Sequence, residues 1–204
     1  MRGSEGIAER VQSLYFTQGN SVILADFQSS EISVDLPAGN LSVSLKTDYP
    51  FDDKIDLIIN ESNLREDATL KLFIPSWIEN VRLSKGGKPM DVTMDGSYLV
   101  LAGEFKSSEE YELSFTQKLG EVKPHGNNTA ENLFKIQYGP LVLGVEGQEN
   151  NIKLPQALKI RKNGSTVFQI EGTDITLHPV YHLMDEKVSK KGEYKSQVLF
   201  SYKN

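Results

Sequence analysis

Polar and apolar residues alternate with a period of two along most of this chain. Ser30-Glu31-Ile32-Ser33-Val34-Asp35-Leu36 alternates, as do Leu41-Ser42-Val43-Ser44-Leu45-Lys46, Lys54-Ile55-Asp56-Leu57-Ile58-Ile59 and Thr69-Leu70-Lys71-Leu72-Phe73-Ile74. Tyr98–Leu101, Tyr111–Phe115, Phe134–Tyr138, Leu141–Leu143, Leu158–Ile160, Val167–Ile170 and Val198–Phe200 continue the pattern. Successive side chains of a strand point to opposite faces, so alternation predicts strands with one buried face. The runs recur at about ten residues, the rhythm of a sandwich or barrel. Asp95-Gly96 and Asn163-Gly164 each lie between two such runs. Both dipeptides readily take positive φ, and each predicts a two-residue type I′ hairpin whose twist matches its strands. Gly39-Asn40 and Gly86-Gly87 are lesser turn signals. Helical spacing occurs only around Glu5–Ser13, with Ile7, Val11 and Leu14, and leads into a strand at Tyr15-Phe16.

The pattern therefore predicts an all-β chain built as two antiparallel β-sandwich domains in tandem, jelly-roll-like or Ig-like. The most polar and turn-rich stretch, Gly120–Thr129, is the natural divide. It gives a leading segment at 1–13, a first sandwich at 14–119, a linker at 120–130 and a second, smaller sandwich at 131–204.

Composition narrows the chemistry. The 204 residues include 22 Lys+Arg against 28 Asp+Glu, a formal charge of −6. A chain of this size can bury a core without covalent staples. It contains no cysteine, which removes disulfides, zinc–thiolate sites and cysteine nucleophiles from its own repertoire. No apolar run approaches the ~20 residues that span a bilayer, and Met1–Gly6 has no apolar core of a signal peptide. The basic residues are scattered, and their densest cluster, Lys187–Lys195, reads as a solvated loop. Neither nucleic acid nor membrane is an expected partner.

Few residues suggest a reaction. Paired carboxylates could serve glycoside hydrolysis, but Asp52-Asp53 and Glu109-Glu110 are adjacent, at turns, and read as solvated charges. His178 and His182 are four apart, yet Pro179 argues against a helix between them, and a strand would separate them by roughly 13 Å. With His125 they read as ordinary histidines rather than metal ligands. Sugar-binding modules stack saccharide faces on exposed aromatic rings, which makes Trp77 and Tyr98 the carbohydrate-binding candidates. The plain alternative is that Trp77, after Ile74-Pro75-Ser76 at a strand end, fills apolar space and keeps its N–H hydrogen-bonded.

Several segments resemble glycoside hydrolase family 127, the β-L-arabinofuranosidase family. Leu70-Lys71-Leu72-Phe73-Ile74-Pro75-Ser76-Trp77 is similar to its L-R-I-P-x-W strand end, and Tyr138-Gly139-Pro140-Leu141-Val142-Leu143-Gly144-Val145-Glu146 to its R-G-P-L-V-Y-x-x-E strand. Gly96-Ser97-Tyr98-Leu99-Val100-Leu101 resembles the G-Y-x-x-I hairpin strand, and Thr47-Asp48-Tyr49-Pro50-Phe51 the T-x-Y-P-(W/F) turn. Ser4–Glu9 through Leu14-Tyr15-Phe16 resembles the segment just after the catalytic domain's paired cysteines. Order and spacing agree over roughly residues 4–146. Phe73 and Tyr138 stand where the family usually has Arg, and Glu104-Phe105-Lys106 occupies the place of a usual tryptophan.

The resemblance implies a C-terminal, non-catalytic β-sandwich region of a bacterial family 127-like glycoside hydrolase, truncated of its (α/α)6 barrel, with 1–13 a remnant of that barrel or a linker. The family's zinc-bound cysteine nucleophile and catalytic glutamate lie in the barrel, so no catalytic residue and no cofactor maps here. Zinc is expected only in the missing domain. The implied partners are that barrel, in cis or in trans, and a second copy in a homodimer. The implied role is structural support and an interface in the degradation of plant-type arabinofuranosides or related glycans, in a soluble protein of the bacterial periplasm or cytoplasm. The alternative is a free-standing carbohydrate-binding β-sandwich module.

Overall fold

Alternating runs become strands, and the strands sort into sheets by how their apolar faces can be covered. The structure is a computed structural model that describes residues 14–123, 132–146, 152–184 and 196–203. The expected helical segment at Glu5–Ser13, His125 and the Lys187–Lys195 cluster lie outside the described residues. The chain divides into two compact units, Met1–Thr116 and Gln117–Asn204. No α-helix occurs among the described residues, and the chain is all-β.

In the first unit a five-stranded sheet has the order β1 (Tyr15–Gln18), β2 (Ser21–Leu24), β6 (Ala68–Phe73), β10 (Tyr98–Gly103), β9 (Met94–Asp95). A six-stranded sheet has the order β3 (Ser30–Leu36), β4 (Gly39–Lys46), β5 (Lys54–Ser62), β11 (Glu109–Gln117), β7 (Ile78–Lys85), β8 (Lys88–Met90). The chain leaves the first sheet after β2, builds β3 to β5 in the other, and returns at β6. This crossover makes β2–β6 a parallel pair in an otherwise antiparallel unit. It also places the buried faces of both sheets in one core. Val22, Leu70 and Leu99 of one sheet cluster with Leu41, Val43 and Ile59 of the other, all fully buried. Each such side chain contributes about 1.5–3 kcal/mol by leaving water.

The second unit has a seven-stranded sheet. Its main path is β12 (Leu119–Val122), β13 (Lys135–Tyr138), β14 (Leu141–Glu146), β18 (Thr176–Pro179), β17 (Phe168–Ile170), β16 (Ile160–Lys162), and β19 (Ser196–Gln197) also pairs with β14. The stretch read as a linker from residue 120 thus contributes part of a strand. A small parallel pair, β15 (Lys153–Leu154) with β20 (Ser201–Tyr202), supplies Leu154 to the second core. Phe134, Ile136, Phe168, Ile170, Leu177 and Phe200 fill the rest of it. Gly144 of β14 has no room for a side chain. A Cβ there would lie 2.8 Å from Leu183 Cδ1, 2.9 Å from Val198 Cγ1 and 3.0 Å from the Gln197 carbonyl oxygen.

The turns shift from the predicted positions. Tyr98 pairs with Asp95, so the β9–β10 turn residues are Gly96-Ser97 and not Asp95-Gly96. Gly96, at φ 60°, takes the first central position with positive φ, as in a type II′ turn. Asn163-Gly164 does not form a two-residue turn. Lys162 pairs with Phe168, leaving five connecting residues closed by the Asn163 N–H donating to the Val167 carbonyl at 2.7 Å. Gly86-Gly87, both with positive φ, forms a two-residue hairpin between paired Lys85 and Lys88.

Candidate functional site

Trp77 sits just past β6, in a turn closed by the Ile78 N–H donating to the Pro75 carbonyl at 2.9 Å. Its half-buried indole packs on the first core, and its Nε1–H donates to Tyr49 Oη at 2.7 Å. Tyr49 meets Phe27 edge-on at 5.3 Å and Phe115 at 6.1 Å. Burial pushes the Tyr49 hydroxyl up from its ordinary pKa, against the Trp77 hydrogen bond and with the Asp26 charge. The polar handle of Trp77 is therefore engaged within the first unit.

Tyr98 lies elsewhere, on the outward face of the five-stranded sheet. Leu70, Leu72, Leu99 and Leu101 point into the core, so their strand neighbours point out. Register pairs Tyr98 with Phe73 and with Asp95, and Val100 with Lys71. The rings of Phe73 and Tyr98 stand 5.8 Å apart at 63°. Lys71 Nζ donates to Asp95 Oδ2 at 2.9 Å, and this bond holds the Asp95 carboxyl below its ordinary value. Phe16 of β1, 51% exposed, shares this face through its pairing with Ile23.

The acidic pairs do not converge. Asp52 and Asp53 occupy a turn in which the Asp53 N–H donates to Asp52 Oδ1 at 2.7 Å. Glu110 pairs with outward Ile58, while Glu109 pairs with buried Ile59. Glu109 is held at its rim by Lys85 Nζ at 2.8 Å and by the Tyr111 hydroxyl at 3.0 Å. Burial pushes the Glu109 carboxyl up, but these donors and the Lys106 backbone outweigh it and leave the pKa lowered. A group depressed in the folded state adds stability above its ordinary pKa and loses it as pH falls through the folded value. Glu109→Gln is therefore expected to destabilise the protein at pH 7 and much less at pH 3. Urea unfolding at both pH values checks this, and an equal loss at both would refute it.

His178 ends up on β18 and His182 on a short 3-10 helix, Val180–Met184, that follows Pro179. β18 stops at Pro179, which has no N–H for the ladder. No group of three His, Cys, Asp or Glu is placed to hold a metal among the described residues. A shallow polar cleft of about 320 Å³ is lined by Ser29, Lys46, Thr47, Asp48, Asp52, Lys54 and Asp56. Lys54 there bridges Glu112 at 2.8 Å and Asp56 at 3.2 Å, and these partners raise its pKa. Alternation marked the inward and outward faces, but the pairing of Phe73 with Tyr98 and of Lys71 with Asp95 had no local signal.

No helix among the described residues is long and apolar enough to cross a membrane. No curated protein matches the sequence. Among solved structures, the fold is similar to a GH127 β-L-arabinofuranosidase from Geobacillus stearothermophilus T6, at 17% identity and a TM-score of 0.76, over 97% of this chain and 36% of that one. It is also similar to a glycoside hydrolase at 18% identity, over 94% of this chain and 37% of that one, with a TM-score of 0.73. A GH127 β-arabinofuranosidase gives 18% identity, 93% and 36% coverage, and a TM-score of 0.73. The chain thus spans little more than a third of the length of these structures, and at such identities the likeness concerns the fold. Residues 21–117, nearly all of the first sandwich, match the family model of the β-L-arabinofuranosidase GH127 middle domain.

Proposed function

We propose that the chain is the non-catalytic β-sandwich region of a family 127-like glycoside hydrolase, and that it braces an (α/α)6 catalytic barrel supplied in cis or in trans. The observation that carries this reading is the match of residues 21–117 to the GH127 middle domain. On this reading the first sandwich is the middle domain of the enzyme, and the whole enzyme acts on plant-type arabinofuranosides or related glycans. Zinc and the cysteine nucleophile belong to the barrel. The sandwiches also offer a surface for homodimerisation, in a soluble protein of the bacterial periplasm or cytoplasm.

Hydrolysis through a covalent intermediate needs an activated nucleophile and a second group that protonates the leaving oxygen. This chain has no cysteine for the first task. The two-carboxylate alternative needs carboxyl groups facing each other at about 5–9.5 Å. Glu109 and Glu110 diverge on opposite faces of β11, Asp52-Asp53 lie in a turn, and Asp56 and Glu112, which do face each other across strands, are both tied to Lys54. The purified chain is therefore expected to release no nitrophenol from aryl arabinofuranosides, with or without added zinc. Turnover that survives repurification and disappears on substituting one carboxylate would overturn the assignment.

A further inference from the structure

The two outward faces of the first sandwich differ in kind. The six-stranded sheet turns Glu31, Lys46, Asp56, Glu110 and Glu112 outward around Ile58 and the buried Ser44, a mostly charged set of the kind a water-facing sheet calls for. The five-stranded sheet turns out the exposed Phe16 and the half-buried Ile23, Val100, Phe73 and Tyr98, with Ser21, Thr69 and the Lys71–Asp95 pair among them. Hydrogen-bonded register lines up Phe16, Ile23, Lys71 and Val100 as one row across four strands, roughly 14 Å long at ~4.8 Å per strand. Phe73, Tyr98 and Asp95 form a second row roughly 7 Å further along the strands.

We propose that this face is a saccharide-binding surface, on which Phe73 and Tyr98 pack against the apolar C–H face of a neutral polysaccharide chain while Lys71 and Asp95 hydrogen-bond its hydroxyls. The ion pair favours a glycan over a protein as occupant of the centre of this face. The core of a protein–protein interface is depleted of charge, and covering Lys71 and Asp95 with dry apolar surface would strip them of water at a large desolvation cost. A hydroxyl-rich ligand replaces that water with donors and acceptors of its own. Lys71 keeps 29% and Asp95 67% of its side chain exposed, so both remain reachable. Aromatic rings with an apolar body suit a sugar face in the same way that they suit half-wet interfaces. Trp77, whose N–H is engaged by Tyr49, is not part of this surface. The proposal is independent of the enzymatic assignment, because the nitrophenol assay and a binding assay fail separately.

The test is native gel electrophoresis of the full chain through gels containing soluble arabinan, arabinoxylan or mixed-linkage β-glucan. Retardation is expected in at least one polysaccharide, weakened by about tenfold or more in Phe73→Ala and Tyr98→Ala, and several-fold in Asp95→Asn. Asp95 is largely exposed, so its substitution reads binding even if an aromatic variant fails to fold. Unaltered mobility of the wild type in all three gels would overturn the proposal. So would retardation that Asp95→Asn and the folded aromatic variants leave unchanged. Light scattering provides a third arm, since a dimer that the aromatic substitutions dissolve would make this face a protein interface and refute the saccharide reading.

Discussion

Replacing Phe168 by alanine is expected to destabilise the second unit by about 3–5 kcal/mol, the range for deleting a buried aromatic side chain. Phe168 is fully buried and packs against Tyr138, with ring centroids 5.1 Å apart. Tyr138 is held by further contacts. Lys162 Nζ lies 4.3 Å from its ring centroid and donates to its hydroxyl at 2.6 Å, and Gln117 Nε2 reaches the same oxygen at 3.3 Å. Tyr138 is thus tethered and cannot swing into the space that Phe168 leaves, so the cavity persists and the cost falls toward the upper end of the range. Domains have only about 5–15 kcal/mol in total, and for a unit of this size each kcal/mol shifts Tm by about 4–8 °C. Calorimetry should show one transition lowered by well over 10 °C. A shift of only a degree or two would mean that the site collapses and that Tyr138 is not held.

Trp77→Ala should cost about 3 kcal/mol, the lower end of the same range, because the indole is half-buried rather than enclosed. The loss has two parts. One is the packing of the indole on the first core, and the other is the hydrogen bond to Tyr49 Oη. Trp77→Phe keeps much of the first and removes the second, so it should cost about 1 kcal/mol through the unpaired, partly buried tyrosine hydroxyl. In Tyr49→Phe the hydroxyl is absent, and adding Trp77→Phe should then cost less than it does in the wild type. A double-mutant cycle by urea denaturation measures that coupling. Strict additivity would show that the Trp77–Tyr49 bond contributes nothing.

Much of the fold was legible in the sequence because strand pleating imposes a local period. Ser30–Leu36, Lys54–Ile59 and Tyr111–Phe115 announce both that they are strands and which side chains enter the core. β3, β5 and β11 follow them, with Leu57, Ile59 and Leu113 buried. Turn positions were less legible. The β9–β10 turn moved by one residue because Asp95 pairs with Tyr98 and carries the ion pair to Lys71. The Asn163-Gly164 hairpin widened to five residues, because Lys162 pairs with Phe168 and not with Ser165. A turn dipeptide states what φ angles are cheap, but the partner strand decides which residues pair.

The candidate site divides along the same line. By itself the sequence determined that strands dominate, which positions face inward, and that no cysteine chemistry is available to this chain. These properties depend on composition and on neighbours one or two residues away. Only the tertiary structure decided which strands share a sheet, because alternation is identical whether β2 pairs with β3 or, as it does, with β6. That choice sets Phe16 and Ile23 in one row with Val100, and Lys71 against Asp95, across gaps of up to 84 residues read from the numbering. It also brings Tyr49 to Trp77. Such contacts are fixed by closing long loops around a shared apolar face, a cooperative balance over the whole sandwich that no local stretch of residues encodes.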